Sequence, residues 1–231
     1  MSLAEDDYGM EASDRVQPRS HVSSWHARAR VLVAGGPDGN EQLTTIGGAI
    51  LIVLLAVIGI TIIRIGQLLW LHLFIGLLML GPVAVKMAST GYRFVRYYTR
   101  NPVYRTKGPP DPILRAIAPV VVASTLMVFV TGIVLLITGV GGKDQWLLLH
   151  KVAFFVWAAF TGLHVLGHLP AYARYLRPGG ARAELLGTRP GAAGRWLLLA
   201  GGLAVGVIIA VALIPDFSSW TAHTAAVHGD H

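Results

Sequence analysis

The chain has 231 residues, of which 54% are hydrophobic and only 13% charged, with a mean hydropathy of +0.58. A soluble domain carries about a quarter charged residues, so this is the composition of an integral membrane protein. The net charge of +7 lies almost wholly outside the apolar segments and reads as a topology signal, not as nucleic-acid binding. The absence of cysteine excludes disulfides, Cys-ligated iron–sulfur clusters and covalent c-type haem attachment, and leaves His, Lys, Met and carboxylates as metal ligands.

Residues 1–44 are polar, hold Pro18 and Pro37, and carry acidic residues near the start (Glu5, Asp6, Asp7, Glu11). They predict a largely disordered cytoplasmic tail rather than a cleavable signal peptide. From Ile46 to about Tyr92 the chain is almost continuously apolar. As a single helix that stretch would run about 70 Å, more than twice the hydrocarbon core, so it must break, and Arg64–Gly66 is the place. This gives a first helix over 46–63 and a second over 67–92, with Pro82 expected to kink the second. An Arg-rich loop with Pro109 and Pro110 follows. A third helix is expected over 113–138, a turn at Gly139–Asp144 and a fourth helix over 145–173. Residues 177–194 form a second basic loop, 195–214 a fifth helix ending at Pro215, and 215–231 a polar tail. The expected fold is all-α: a polytopic membrane protein of five transmembrane helices, with a four-helix bundle over 45–176.

The basic residues orient this chain. The N-terminal tail and the two basic loops fall on one side of a five-helix topology. The other side has only Arg64, Lys143 and Lys151. The positive-inside rule therefore predicts a cytoplasmic N-terminus, an external C-terminus and residence in the bacterial cytoplasmic (inner) membrane.

The chemistry lies in one spacing used twice. His72 is followed fourteen residues later by Lys86, and His150 fourteen residues later by His164. Fourteen residues return nearly to the same helix face, about 21 Å further along. The second and fourth helices run parallel and read as a faint repeat, each opening with Trp and a leucine run, then His, and closing in Tyr and Arg. Ionisable residues inside a membrane helix cost about 2.5–3.5 kcal/mol or more and are functional candidates by default. His72 and His150 thus form one candidate pair of axial metal ligands near the outer face, and Lys86 and His164 a second near the inner face.

These residues resemble the bacterial di-haem cytochrome b superfamily, whose second and fourth helices each carry two histidines at this spacing. The resemblance covers about residues 46–173, with His72, His150 and His164 on the motif and Lys86 standing where the family has His. It implies two b-type haems (heme b) and electron transfer across the membrane. The electrons would pass between the quinone pool or a cytoplasmic donor and an extracytoplasmic redox protein, the chain serving as a subunit of a larger oxidoreductase complex. Gly59 and Gly132 are expected where a haem edge approaches the backbone at the outer level, and Gly47 and Gly48 at the inner. Arg64 and Lys151 are candidate propionate partners at the outer level, Arg93 and Arg115 at the inner.

Other readings stay open at this point. The histidines could be interhelical hydrogen-bonding glue in a haem-free structural or assembly subunit. Lys86 could ligate iron, pair with a propionate or snorkel to the interface, and an empty Lys86 level would leave a mono-haem cytochrome. His168 competes with His164 as inner ligand, or serves a proton-handling or quinone site. Phe154, Phe155, Trp157 and Phe160 read as packing. Gly202 and Gly206 form a GxxxG seam on the fifth helix. His223, His228 and His231 belong to a polar tail or a weak external metal site.

Overall fold

The computed structural model describes residues 36–105, 112–175 and 191–222. Among these residues every regular element is helical. In chain order they are α1 (Gly36–Ile63), α2 (Ile65–Leu78), α3 (Leu80–Tyr98), α4 (Pro102–Arg105), α5 (Pro112–Thr138), α6 (Lys143–Tyr175) and α7 (Ala192–Ala212). Joined end to end, α2 and α3 make one span. Together with α1, α5, α6 and α7 this gives five helices long and apolar enough to cross a membrane. Their outward faces stay apolar: Phe155 is 70% exposed and Ile137 70%. A surface of this kind is solvated by lipid, not water.

α1 begins at Gly36, ten residues before the hydropathy boundary near 46. Gly36 adopts φ +52°, and Pro37 and Asp38 follow in the first turn, both favourable at a helix start. The extra turns are polar because they are tied across the bundle. Asn40 Nδ2 donates to the Ser89 carbonyl (3.1 Å), and the Thr44 and Ser89 hydroxyls are 3.2 Å apart. Residues 36–44 are therefore part of the bundle, and the remainder of the expected tail, 1–35, lies outside the described residues.

The predicted break falls at Arg64 (φ −118°, ψ 41°), with a further distortion at Leu68 (φ −114°, ψ 21°). The Pro82 kink appears at Met79, where α2 gives way to α3. Pro82 has no N–H, so the Leu78 carbonyl loses its helical donor. α7 packs there. A Cβ placed on Gly206 would collide with the Leu78 carbonyl, and one on Gly81 with the Gly202 carbonyl. The Cα–H of Gly206 is thus aimed at the oxygen that Pro82 leaves unpaired, a weak hydrogen bond open only to glycine. The GxxxG pair is a packing seam, and its partner is the kink.

α5 and α6 form the other half of the bundle, joined by a 3₁₀ turn at Gly139–Gly142 and packed along their length. Trp157 Nε1 on α6 donates to Thr125 Oγ1 on α5 (3.0 Å). Phe154 lies edge-on to Phe155 and tilted against Trp157. After α7 the chain turns at Ile214–Phe217 and runs back over the bundle. Phe217 is buried and meets Trp70 edge-on, and Trp220 Nε1 donates to the Leu135 carbonyl (3.0 Å). The segment expected to open the external tail is thus docked as far as 222. His223, His228 and His231 lie outside the described residues, as do 106–111 and 176–190.

Candidate functional site

The His72 level draws one side chain from each of the first four spans. His72 sits on α2 and His150 on α6. Thr61 on α1 places Oγ1 2.9 Å from His72 Nδ1, and Thr131 on α5 places Oγ1 2.9 Å from His150 Nδ1. Both threonines are 0% exposed, so no water can complete their hydrogen bonding. Each hydroxyl has one proton, and each gives it to its own helix: Thr61 to the Ile58 carbonyl (2.6 Å), Thr131 to the Met127 carbonyl (2.7 Å). The threonine oxygens must then accept, and the imidazoles must donate from Nδ1–H. For His150 a second contact agrees, since its ring also bonds the Val128 carbonyl, which can only accept. The assignment leaves Nε2 of both rings as the nitrogen with the lone pair. This is how metal-ligating histidines are held: the far N–H is fixed by a protein acceptor, which sets tautomer and ring direction.

Glycine completes the level. A Cβ on Gly132 would come within 3.3 Å of His150 Cε1, so Gly132 makes room for the imidazole itself. Gly59 faces open space and lines an apolar groove of about 420 Å³ between α1 and α6, with Ile58, Trp157 and Thr161 among its walls. His72 and His150 are near enough for their charges to interact. Their helices take different packing partners: α2 lies on α1 and α7, α6 on α5. Arg64 is exposed at the α1–α2 break and Lys151 is exposed on α6.

The Lys86 level is built differently. Lys86 Nζ donates to the Thr44 carbonyl of α1 (2.5 Å), and the Ser89 hydroxyl donates to the Lys86 carbonyl (3.0 Å). His164 on α6 lies within reach of the Lys86 charge, and its Nδ1 is buried with no hydrogen-bond partner. One turn away on α6 the Thr161 hydroxyl is likewise buried and unpartnered. His168 stacks edge-on against His164, with ring centroids 4.6 Å apart. Gly47, expected near this level, instead packs against Leu199 of α7 (3.4 Å from its Cβ position). Arg115 lies over the Tyr98 ring at 5.2 Å and Arg93 is half-buried.

His72 and His150 lie within reach of each other's charge, and so do Lys86 and His164. The sequence reading missed Thr61 and Thr131. Their signal was present as one threonine beside a glycine in the otherwise aliphatic runs GITII and VTGIVLL, at the depth of each histidine. Among the described residues no group of three or more His, Cys, Asp or Glu converges on a point.

The class defined by these elements is a multi-pass α-helical membrane protein with half-buried histidines inside its bundle. Comparison with family models, with curated proteins and with solved structures finds no match.

Proposed function

We propose that the chain is a membrane b-type cytochrome that carries electrons through the bilayer. His72 and His150 would hold one haem through their Nε2 atoms. The observation that carries this reading is the matched pair of Thr–His hydrogen bonds. Each bond joins a different pair of neighbouring helices, α1 with α2 and α5 with α6, and helix glue alone would not require the two tautomers to match. Here two separate threonines, each with its proton already committed, fix two imidazoles in the same tautomer. Gly132 leaves the room that the His150 imidazole occupies, and the apolar groove lined by Gly59 lies between α1 and α6. Bound haem supplies reversible one-electron chemistry at iron. The protein's part is to orient two ligands, keep water out with aliphatic walls, and hold the ligand protons on Nδ1 so that electron transfer need not move them.

The basic loops support the orientation in which the N-terminus is cytoplasmic and the His72 level faces outward in the cytoplasmic membrane. An extracytoplasmic redox protein or a larger complex would then exchange electrons at His72–His150, and quinone or a cytoplasmic donor at the opposite end. The test is the pigment. Purified protein should show a reduced-minus-oxidised b-type spectrum that disappears at this level in His72→Ala and His150→Ala. Colourless, well-folded protein from haem-replete cells would overturn the reading in favour of a structural or assembly subunit.

A further inference from the structure

The Lys86 level raises a question that the His72 level does not. Lysine is a long, basic side chain, and in a membrane helix it has three ways to be accommodated: the interface, an acidic partner, or a neutral amine bound to something else. For the first, the polar opening turns of α1 would be the anchor. Lys86 Nζ turns to the backbone of α1 and bonds the Thr44 carbonyl, within a polar knot formed with Ser89 and Asn40. For the second, no Asp or Glu occurs between Glu41 and Asp111, or between Asp144 and Glu184, so an acidic partner could come only from a helix end. Across the bundle lies His164, whose ring has a buried nitrogen without any protein partner. A buried, unpartnered imidazole nitrogen is costly unless a group outside the chain meets it.

The two levels also share a construction. At the first, an oxygen from α1 (Thr61 Oγ1) accepts the N–H of the α2 side chain and aims it. At the second, an oxygen from α1 (the Thr44 carbonyl) accepts an N–H of the α3 side chain. Thr44 precedes Thr61 by seventeen residues and Lys86 follows His72 by fourteen, as antiparallel helices at two depths require. A neutral amine can donate to a carbonyl and still present its lone pair, as an Nδ1–H imidazole presents Nε2.

We propose that Lys86 and His164 are the axial ligands of a second haem, with amine–imidazole coordination. This rests on the cytochrome reading above and deepens it. Only the neutral amine coordinates, so loading the site releases the ammonium proton of Lys86 to solvent, one per chain, while the Thr44 carbonyl retains a hydrogen bond. The Lys86 residue then completes a path of two centres about 21 Å apart along the helices.

The experiment uses the full chain in detergent, with a pyridine haemochrome count per chain and low-temperature EPR with near-infrared magnetic circular dichroism of the ferric state. Wild type should hold two haems, one with a bis-imidazole signature and one with an amine–imidazole signature. Lys86→Met should abolish the amine signature, with loss of one haem or a changed ligand set, and leave the bis-imidazole signal intact as a check on folding. Lys86→His should restore two haems, both bis-imidazole. One haem per chain, or an unchanged spectrum in Lys86→Met, would overturn the proposal while leaving the cytochrome reading standing. No haem at all would overturn both.

Discussion

The His72 and Lys86 levels have the same helical spacing but are anchored by different kinds of oxygen. At the first, two histidines are each anchored through Nδ1 by a threonine hydroxyl from the preceding helix. At the second, a lysine is anchored by a main-chain carbonyl and faces an imidazole with an unpaired buried nitrogen. The difference teaches that spacing alone does not set the chemistry of a site. The acceptor behind each ligand decides which proton it keeps and therefore which atom it offers. It also makes the two levels unequal targets for mutation, because a hydroxyl can be deleted by substitution and a carbonyl cannot.

The largest expected effect is at the ligands. His72→Ala or His150→Ala should remove one haem per chain and abolish the bis-imidazole signal, and leave the Lys86 level spectrally unchanged. Loss of both signals together, in protein that still elutes as a folded species, would show that the levels are not independent. Next come the anchors. Thr61→Val or Thr131→Val deletes the acceptor at nearly constant volume and should weaken haem retention at this level by about 10–100-fold. The companion Thr44→Val keeps the carbonyl that holds Lys86 and should leave that level's spectrum as in wild type. Haem-transfer titration to an apo-acceptor protein reads both.

Between the levels, Gly206 meets the Leu78 carbonyl. Gly206→Leu has no space to enter and should cost about 1–3 kcal/mol or more through overpacking, seen as a lower thermal midpoint in detergent. The two haem spectra should persist below that midpoint, since α7 contributes no ligand to either level. The smallest effect is expected at the docked C-terminal segment. Trp220→Phe loses its hydrogen bond to Leu135, about 1 kcal/mol, and should speed proteolytic removal of the chain end without altering either spectrum.

Much of this architecture could be read from the sequence, because hydropathy and the bilayer impose it. The five spans, the Arg64 break and the 139–144 turn all follow from apolar length against bilayer thickness. The early start of α1 did not follow. Asn40 and Thr44 look like tail residues until Ser89, forty-odd residues on, supplies their partners. The docked end after Pro215 was hidden for the same reason, since Phe217 and Trp220 are satisfied by Trp70 and Leu135, far away in the chain. At the site, the His/Lys pattern was legible as periodicity on one helix face. Thr61 and Thr131 were not, because a lone threonine in a membrane helix ordinarily bonds its own backbone, and here it does that and receives an imidazole as well. Gly132 was read as a haem-edge glycine, and it is the imidazole it accommodates.

The central claim is that the threonine-anchored histidines hold haem. Its most direct test is a reduced-minus-oxidised spectrum, with pyridine haemochrome quantification, of the protein purified from haem-replete cells beside the His72→Ala/His150→Ala double variant. The account predicts a b-type spectrum in the wild type and the loss of one haem, with its bis-imidazole ferric signature, in the variant. A folded wild-type protein without haem, or a variant with the wild-type haem content and signature, would contradict it.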